Sequence, residues 1–271
     1  MKMKFAYPVT SQDYRGELMG FSDDYEKVFP YLKKCGYDGI ELLIRDPYEV
    51  DTFLLDKMLN KHELKLAAIG TAPMQKADKL FLLSDNEEVR TEALNKCLKM
   101  IELCSSYGAA ALIGKYRGTV NEEIKGCKRA DLLTILHTIC EQADKLNVNV
   151  LIEPQNKASI NNINTIDDAL NCIKEIKEKN IGMLADTYHM DITEELITES
   201  IKRAGNKIGF VHMSDSKRRI PGDGGIDIQS VMTCLKQIGY DGYVSFEINQ
   251  NPDSATAARI CLEQIKQLAA S

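Results

Sequence analysis

VNVLIEP, residues 148–154, is the stretch on which the fold turns. Its apolar run is short and β-branched, and Pro154 stops it, which predicts a strand buried in a parallel sheet rather than a helix. The residue at the stop is a carboxylate, Glu153. Three later segments repeat the pattern: GMLADTYH (182–189) with Asp186 and His189, IGFVHMSD (208–215) with His212, and GYVSFEI (242–248) with Glu247. They recur at the spacing of a β/α unit. In an α/β barrel the C-terminal ends of the strands converge on one mouth, so these side chains are placed to share a site. Three carboxylates and one imidazole form a mainly oxygen donor set, suited to a divalent cation such as Mn²⁺.

Outward from these segments, strand-like and helical patterns alternate along the whole chain. Strands are expected at Lys4–Val9, Gly39–Ile44, Lys65–Gly70, Ala109–Gly114, a fifth ending at Glu153, Ile181–Thr187, Ile208–Ser214 and Tyr243–Ile248. Helices are expected near 23–34, 51–61, 122–146, 165–178, 193–203 and 254–268. Another follows the Ser84-Asp85-Asn86-Glu87 start signal and reaches Tyr107. Gly36-Tyr37-Asp38-Gly39 and Gly239-Tyr240-Asp241-Gly242 are matching helix-stop and strand-start motifs, with the first glycine as the left-handed cap. No linker rich in Pro, Gly or Ser divides the chain. The expected fold is therefore α/β, a single (β/α)8 barrel forming one domain over residues 1–271, a usual size for that architecture.

Composition narrows the function. A net charge of −6 spread over mixed-sign segments argues against a nucleic-acid partner, which needs a basic footprint. The eight cysteines contain no CxxC pair, and Cys97, Cys104, Cys140, Cys172 and Cys261 fall among apolar helical neighbours. A reduced domain with thiols in its core is expected, not a disulfide scaffold. The N-terminal MKMKFAYPVT lacks an apolar signal core, and no run reaches membrane-spanning length, so a cytoplasmic location without membrane partners is the default.

Each candidate residue also has a plainer reading. Glu153 would otherwise pair with a nearby cation, and Asp186 would only cap the next helix. His212, inside Phe210-Val211-His212-Met213, is costly to bury unless it binds something. Glu247, between Phe246 and Ile248, is a buried carboxylate in need of a purpose. Glu41 reads as a mid-strand carboxylate paired inside the barrel. The loop Ser214–Gly225 places Lys217, Arg218 and Arg219 beside the proposed ligands, with a solvated basic loop as the alternative for Lys217 and Arg219.

Ile152-Glu153-Pro154-x-Asn156, Asp186-Thr187-x-His189-Met190, His212-x-x-Asp215-Ser216-x-Arg218-x-x-Pro221-Gly222-x-Gly224 and Phe246-Glu247 together resemble the sugar isomerase/epimerase branch of the xylose-isomerase-like TIM barrels, which includes ketose 3-epimerases. The resemblance implies that Glu153, Asp186, His212 and Glu247 hold a divalent metal, commonly Mn²⁺, with Mg²⁺, Co²⁺ or Zn²⁺ as alternatives. It implies that Glu153 and Glu247 are catalytic, exchanging protons with a sugar or sugar phosphate through a cis-enediolate. It further implies that His189 and Arg218 contact substrate oxygens, and that the protein is a homo-dimer or homo-tetramer. The sequence departs from the pattern after Asn156, where Lys157, Ala158 and Ser159 stand in place of Arg, an aromatic and a second Glu. That leaves aldose–ketose isomerisation and keto-polyol chemistry as alternatives to 3-epimerisation. An abasic-site endonuclease is more remote, because only four histidines exist and His62 and His137 fall in helical stretches.

Overall fold

The computed structural model describes residues 2–270. In chain order the elements are β1 Lys4–Thr10, α1 Tyr25–Cys35, β2 Gly39–Leu43, α2 Thr52–His62, β3 Lys65–Gly70, α3 Ala72–Asp78, α4 Glu87–Tyr107 and β4 Ala110–Ile113. They continue with α5 Arg129–Lys145, β5 Val150–Ile152, α6 Ile166–Ile176, β6 Ile181–Asp186, α7 Thr187–Thr193, α8 Ile197–Ala204, β7 Ile208–His212, α9 Ile228–Gln237, β8 Tyr243–Ser245 and α10 Ser254–Ala270. The strands are parallel and close into a barrel in sequence order, with β8 returning to pair with β1. This is the (β/α)8 architecture expected from the alternating pattern.

Two hydrophobic layers hold it. Inside the barrel, small residues and a few large ones interdigitate: Ala6, Ala68, Leu112, Leu151, Leu184 and Phe210. The larger layer lies between the outer faces of the strands and the helices. The five cysteines expected in the core are all buried there. Among the described residues, no helix is long and apolar enough to cross a membrane.

Local chemistry sets the boundaries. Gly36 and Gly239 sit at φ +97° and +77°, the left-handed caps their motifs predict. Asn86 caps α4 by accepting from the Glu88 amide at 2.8 Å. The helix expected from Glu122 starts only at Arg129. Gly126 has φ +82°, and Asp131 accepts from the amides of Gly126 and Lys128, so residues 121–128 form a turn that caps α5. The helix expected over 193–203 is preceded by a separate short one, α7, whose N-cap is Asp186 at the end of β6. The fifth, seventh and eighth strands end earlier than the apolar runs suggest, which leaves Glu153 and Glu247 just beyond the hydrogen-bonded ladder. The strand ends thus become the rim of the site.

Candidate metal centre and adjoining cavity

The rim brings together the four residues singled out from the strand ends. Asp186 and His212 are the last residues of β6 and β7 and are register partners, and His212 in turn pairs with Ser245 of β8. One potential ligand atom from each of Glu153, Asp186, His212 and Glu247 lies within 4.8 Å of all the others. His212 Nδ1 is 3.8 Å from Glu153 Oε1, 3.6 Å from Asp186 Oδ2 and 3.5 Å from Glu247 Oε2. Glu153 Oε1 and His212 Nδ1 are buried without any hydrogen-bond partner in the protein. Buried polar atoms are normally satisfied, so two unpartnered atoms beside two further carboxylates make this a candidate cation site. The donor set fits a divalent metal that prefers oxygen and imidazole. Among the described residues it is the one such cluster.

Glu41, on β2, explains why His212 presents Nδ1. The Glu41 carboxylate is fully buried and sits 3.0 Å from His212 Nε2, and it also accepts from Ser245 Oγ at 2.7 Å. With Nε2 bonded to Glu41, Nδ1 is the ring nitrogen that faces the three carboxylates, the arrangement that orients metal-binding histidines. The reading of Glu41 as a paired barrel carboxylate therefore holds, and its partner is the candidate imidazole.

The buried charges of the cluster shift one another strongly. Burial alone would push His212 down, but Glu41 and then Glu247 outweigh it and raise the imidazole well above its ordinary value. Burial, then the charges of Glu247 and Asp186, push Glu153 well above the usual carboxylate range. Burial also pushes Asp186 and Glu247 up, yet both end below that range, Asp186 far below, chiefly because Arg218 lies beside them.

Arg218 and His189 stand at the edge of the cluster. The Arg218 guanidinium donates to Asp186 Oδ2 at 2.6 Å, pairs with Glu247 Oε2 at 2.9 Å and lies over the Tyr188 ring, 4.3 Å from its centroid. The chain reaches this point through two successive residues with positive φ, Lys217 at +60° and Arg218 at +58°. That conformation is held from outside: Asn249 bonds the carbonyls of both, and buried Asp215 accepts from the amides of Ser216, Gly222 and Ile226. Lys217 is exposed, and Arg219 turns back onto Ser216, so neither enters the site.

His189 Nδ1 accepts from the Asn156 amide at 3.2 Å, and the Asn156 side-chain nitrogen lies 2.9 Å away. An acceptor at Nδ1 assigns the ring proton to Nε2, and burial keeps the ring neutral by lowering its pKa. Nε2 lies 3.8 Å from Glu153 Oε1 and 3.2 Å from Arg218 Nη2. Two donors thus converge beside the cluster, a geometry suited to gripping an oxygen atom.

A cavity of about 1050 Å³ opens over these groups. Tyr188, His189, Arg218 and Glu247 line it, as does the segment Arg15–Asp23 after β1. Ser159, at the position where the sequence departs from the expected pattern, also faces it.

Two contributors carried no signal in the sequence. Arg117, in a 3-10 turn after β4, is completely buried, and burial lowers its pKa to about 10. Gly114 lets β4 approach the cluster, since a Cβ there would lie 2.5 Å from Glu153 Oε2 and 3.1 Å from Gln155 Nε2. That Gln155 nitrogen donates to Glu153 Oε2 at 2.6 Å.

Comparison with known proteins agrees with this architecture. The chain is 29% identical over 246 residues to an L-ribulose 3-epimerase of Methylomonas sp. (strain DH-1), covering 87% of this chain and 84% of that one. A ketose 3-epimerase of Arthrobacter globiformis is 26% identical over 218 residues, 79% of this chain and 74% of the other. The crystal structure of a Methylomonas sp. D-allulose 3-epimerase in complex with D-allulose superposes with a TM-score of 0.78 at 24% identity, over 98% of this chain and 99% of that one, a likeness of fold. Residues 29–267 match the family described as xylose isomerase-like TIM barrel, and the chain belongs to that family.

Proposed function

We propose that this chain is a metal-dependent ketose 3-epimerase. The observation that carries the reading is the placement of two carboxylates, Glu153 and Glu247, at the ends of strands three apart around the barrel, in one cluster with Asp186 and His212 and beneath a cavity lined by His189 and Arg218. The names of the relatives support a ketose as the substrate class. Glu153, Asp186, His212 and Glu247 would hold the metal, and their oxygen-rich set favours Mn²⁺, with Mg²⁺, Co²⁺ or Zn²⁺ as alternatives. When bound, a divalent metal supplies Lewis acidity, stabilising negative charge that develops on the oxygens beside the reacting carbon.

The chain's own residues do the rest. One of Glu153 and Glu247 takes the proton at C3 and the other returns one from the opposite face, which inverts the carbon. Their positions just past the ends of β5 and β8 suit opposite faces, whereas a shuttle on one face would give aldose–ketose isomerisation. The Nε2–H of His189 and the Arg218 guanidinium orient substrate oxygens and balance developing charge. Ser159 and Lys115 line the same cavity. An abasic-site endonuclease fits less well, because His62 and His137 lie on α2 and α5, outside the cluster. The family resemblance also supports a cytoplasmic homo-dimer or homo-tetramer, which sedimentation velocity would size.

The test is incubation of Mn²⁺-loaded protein with D-fructose, D-tagatose, L-ribulose and their phosphates in D₂O, read by NMR. Deuterium at C3 with an inverted product is the expected result. Exchange at C1 with an aldose product would replace epimerisation by isomerisation. No exchange in any ketose, with metal bound, would move the substrate to a keto-polyol such as a keto-inositol and withdraw the epimerase reading.

A further inference from the structure

Arg117 is one of the largest completely buried side chains of the protein, and its environment is unusual for a cation. Its guanidinium makes five hydrogen bonds, all to neutral oxygens. Nε donates to Asn162 Oδ1 at 2.8 Å, Nη1 to the carbonyls of Gly114 and Glu153, both at 2.9 Å, and Nη2 to the carbonyls of Asn162 at 2.8 Å and Ile163 at 3.2 Å. Burying a cation without a carboxylate partner is costly, so what an arginine supplies here that a neutral side chain cannot has to outweigh that cost. What arginine alone supplies is five N–H donors in one rigid plane.

The three segments so joined all bear on Glu153. The regular β4–β5 ladder ends where Ile113 pairs with Ile152 and the Glu153 amide bonds the Ile113 carbonyl at 3.1 Å. Past that point, Nη1 bridging Gly114 and Glu153 holds the two strand ends together. The other edge of the guanidinium grips residues 162 and 163, the return limb of the loop that leaves Glu153. That loop carries Gln155, which bonds the Glu153 carboxylate, and Asn156, which holds His189.

We propose that Arg117 is a positioning residue for Glu153: its buried guanidinium, bonded to five neutral oxygens at the ends of β4 and β5 and in the loop beyond, sets where the Glu153 carboxylate stands in the cluster. The inference rests on reading Glu153 as a metal ligand and proton-transfer group. Lysine keeps the charge but cannot span five acceptors, so Arg117→Lys isolates the geometric contribution.

The decisive measurement is Mn²⁺ affinity of the metal-free protein by titration calorimetry, well below the melting temperature, with kcat and KM on a ketose that the wild type turns over. Arg117→Lys is expected to weaken Mn²⁺ binding by about 10-fold or more, the usual effect of losing a supporting contact behind a metal ligand, and to lower kcat while KM holds. A role confined to stability would lower the melting temperature and leave the Mn²⁺ affinity of the folded protein unchanged, and that result would overturn the proposal. If Arg117→Lys does not fold, Asn162→Ala decides: it removes one acceptor of Arg117 without touching the Glu153 carboxylate. A smaller loss of Mn²⁺ affinity then supports the proposal and an unchanged affinity overturns it. Glu153→Gln, measured alongside, separates the two levels. If it binds Mn²⁺ and turns over like wild type, the assignment of Glu153 itself fails. If it is impaired while Arg117→Lys is not, only the positioning role fails.

Discussion

Glu41→Gln tests whether the β2 carboxylate orients the His212 imidazole for a metal. Gln preserves the shape of the side chain but not its charge, and Glu41 accepts from His212 Nε2 at 3.0 Å and Ser245 Oγ at 2.7 Å through the same oxygen. Replacing a charge-assisted bond by a neutral one lowers its net worth by roughly 1–1.5 kcal/mol. Loss of a carboxylate behind a metal-bound histidine typically costs 10–100-fold in affinity, about 1.4–2.7 kcal/mol, so the two routes to the magnitude agree. Thermal melts with and without Mn²⁺ give a direct assay. At a free Mn²⁺ concentration 100 times the wild-type Kd, wild type gains about 2.7 kcal/mol and the variant about 0.4–1.4 kcal/mol. At roughly 2–4 °C per kcal/mol, the wild-type melting temperature rises by about 5–11 °C and that of the variant by about half of this or less. Each protein is compared with its own metal-free form, so a change in apo stability cancels. Equal Mn²⁺-induced shifts would refute the claim that Glu41 holds His212 for a metal.

Glu247→Gln is expected to abolish turnover, with metal content measured on the same sample because the residue is also a candidate ligand; a fully active variant sinks its assignment. Gly114→Ala puts a methyl group 2.5 Å from Glu153 Oε2, on ground the carboxylate occupies. Steady-state kinetics should show a loss of kcat on the order of 10–100-fold with the fold intact by circular dichroism, and a wild-type kcat would show that Glu153 has slack. Burial pushes the thiols of Cys97 and Cys140 up to about 12 and that of Cys172 up to about 11, so none is a thiolate at pH 8. Ellman's reagent on the native protein should therefore leave these three unmodified until denaturant is added, while half-buried Cys35 reacts first. Rapid modification of all eight thiols in the native state would contradict the packing of the helical layer.

The sequence made the barrel and the location of the site legible for one physical reason: a strand buried on both faces is an apolar run, and a charged residue at its end stands out against it. Glu153, Asp186, His212 and Glu247 were visible on that ground, although not one of the four runs revealed where its ladder would stop. Asp186 shows how two readings can share a residue. Its Oδ1 caps α7 by accepting from the Tyr188 and His189 amides, while Oδ2 faces the cluster. The plain expectation of a helix cap and the expectation of a ligand therefore describe different oxygens of one carboxylate. The supporting partners were illegible for an equally definite reason. Periodicity tells that Glu41 points inward from β2, but its partners on β7 and β8 lie 171 and 204 residues away, and only closure of the barrel makes them neighbours. Arg117 lay further out of reach, because it follows a strand in a polar turn, Lys115-Tyr116-Arg117, that reads as surface. The loop from Glu153 to Asn164 folds over it and turns an apparently exposed cation into a completely buried one. What a single sequence withholds here is the set of contacts created when loops from adjacent strands close on one another, and those contacts surround the candidate ligands at the strand ends.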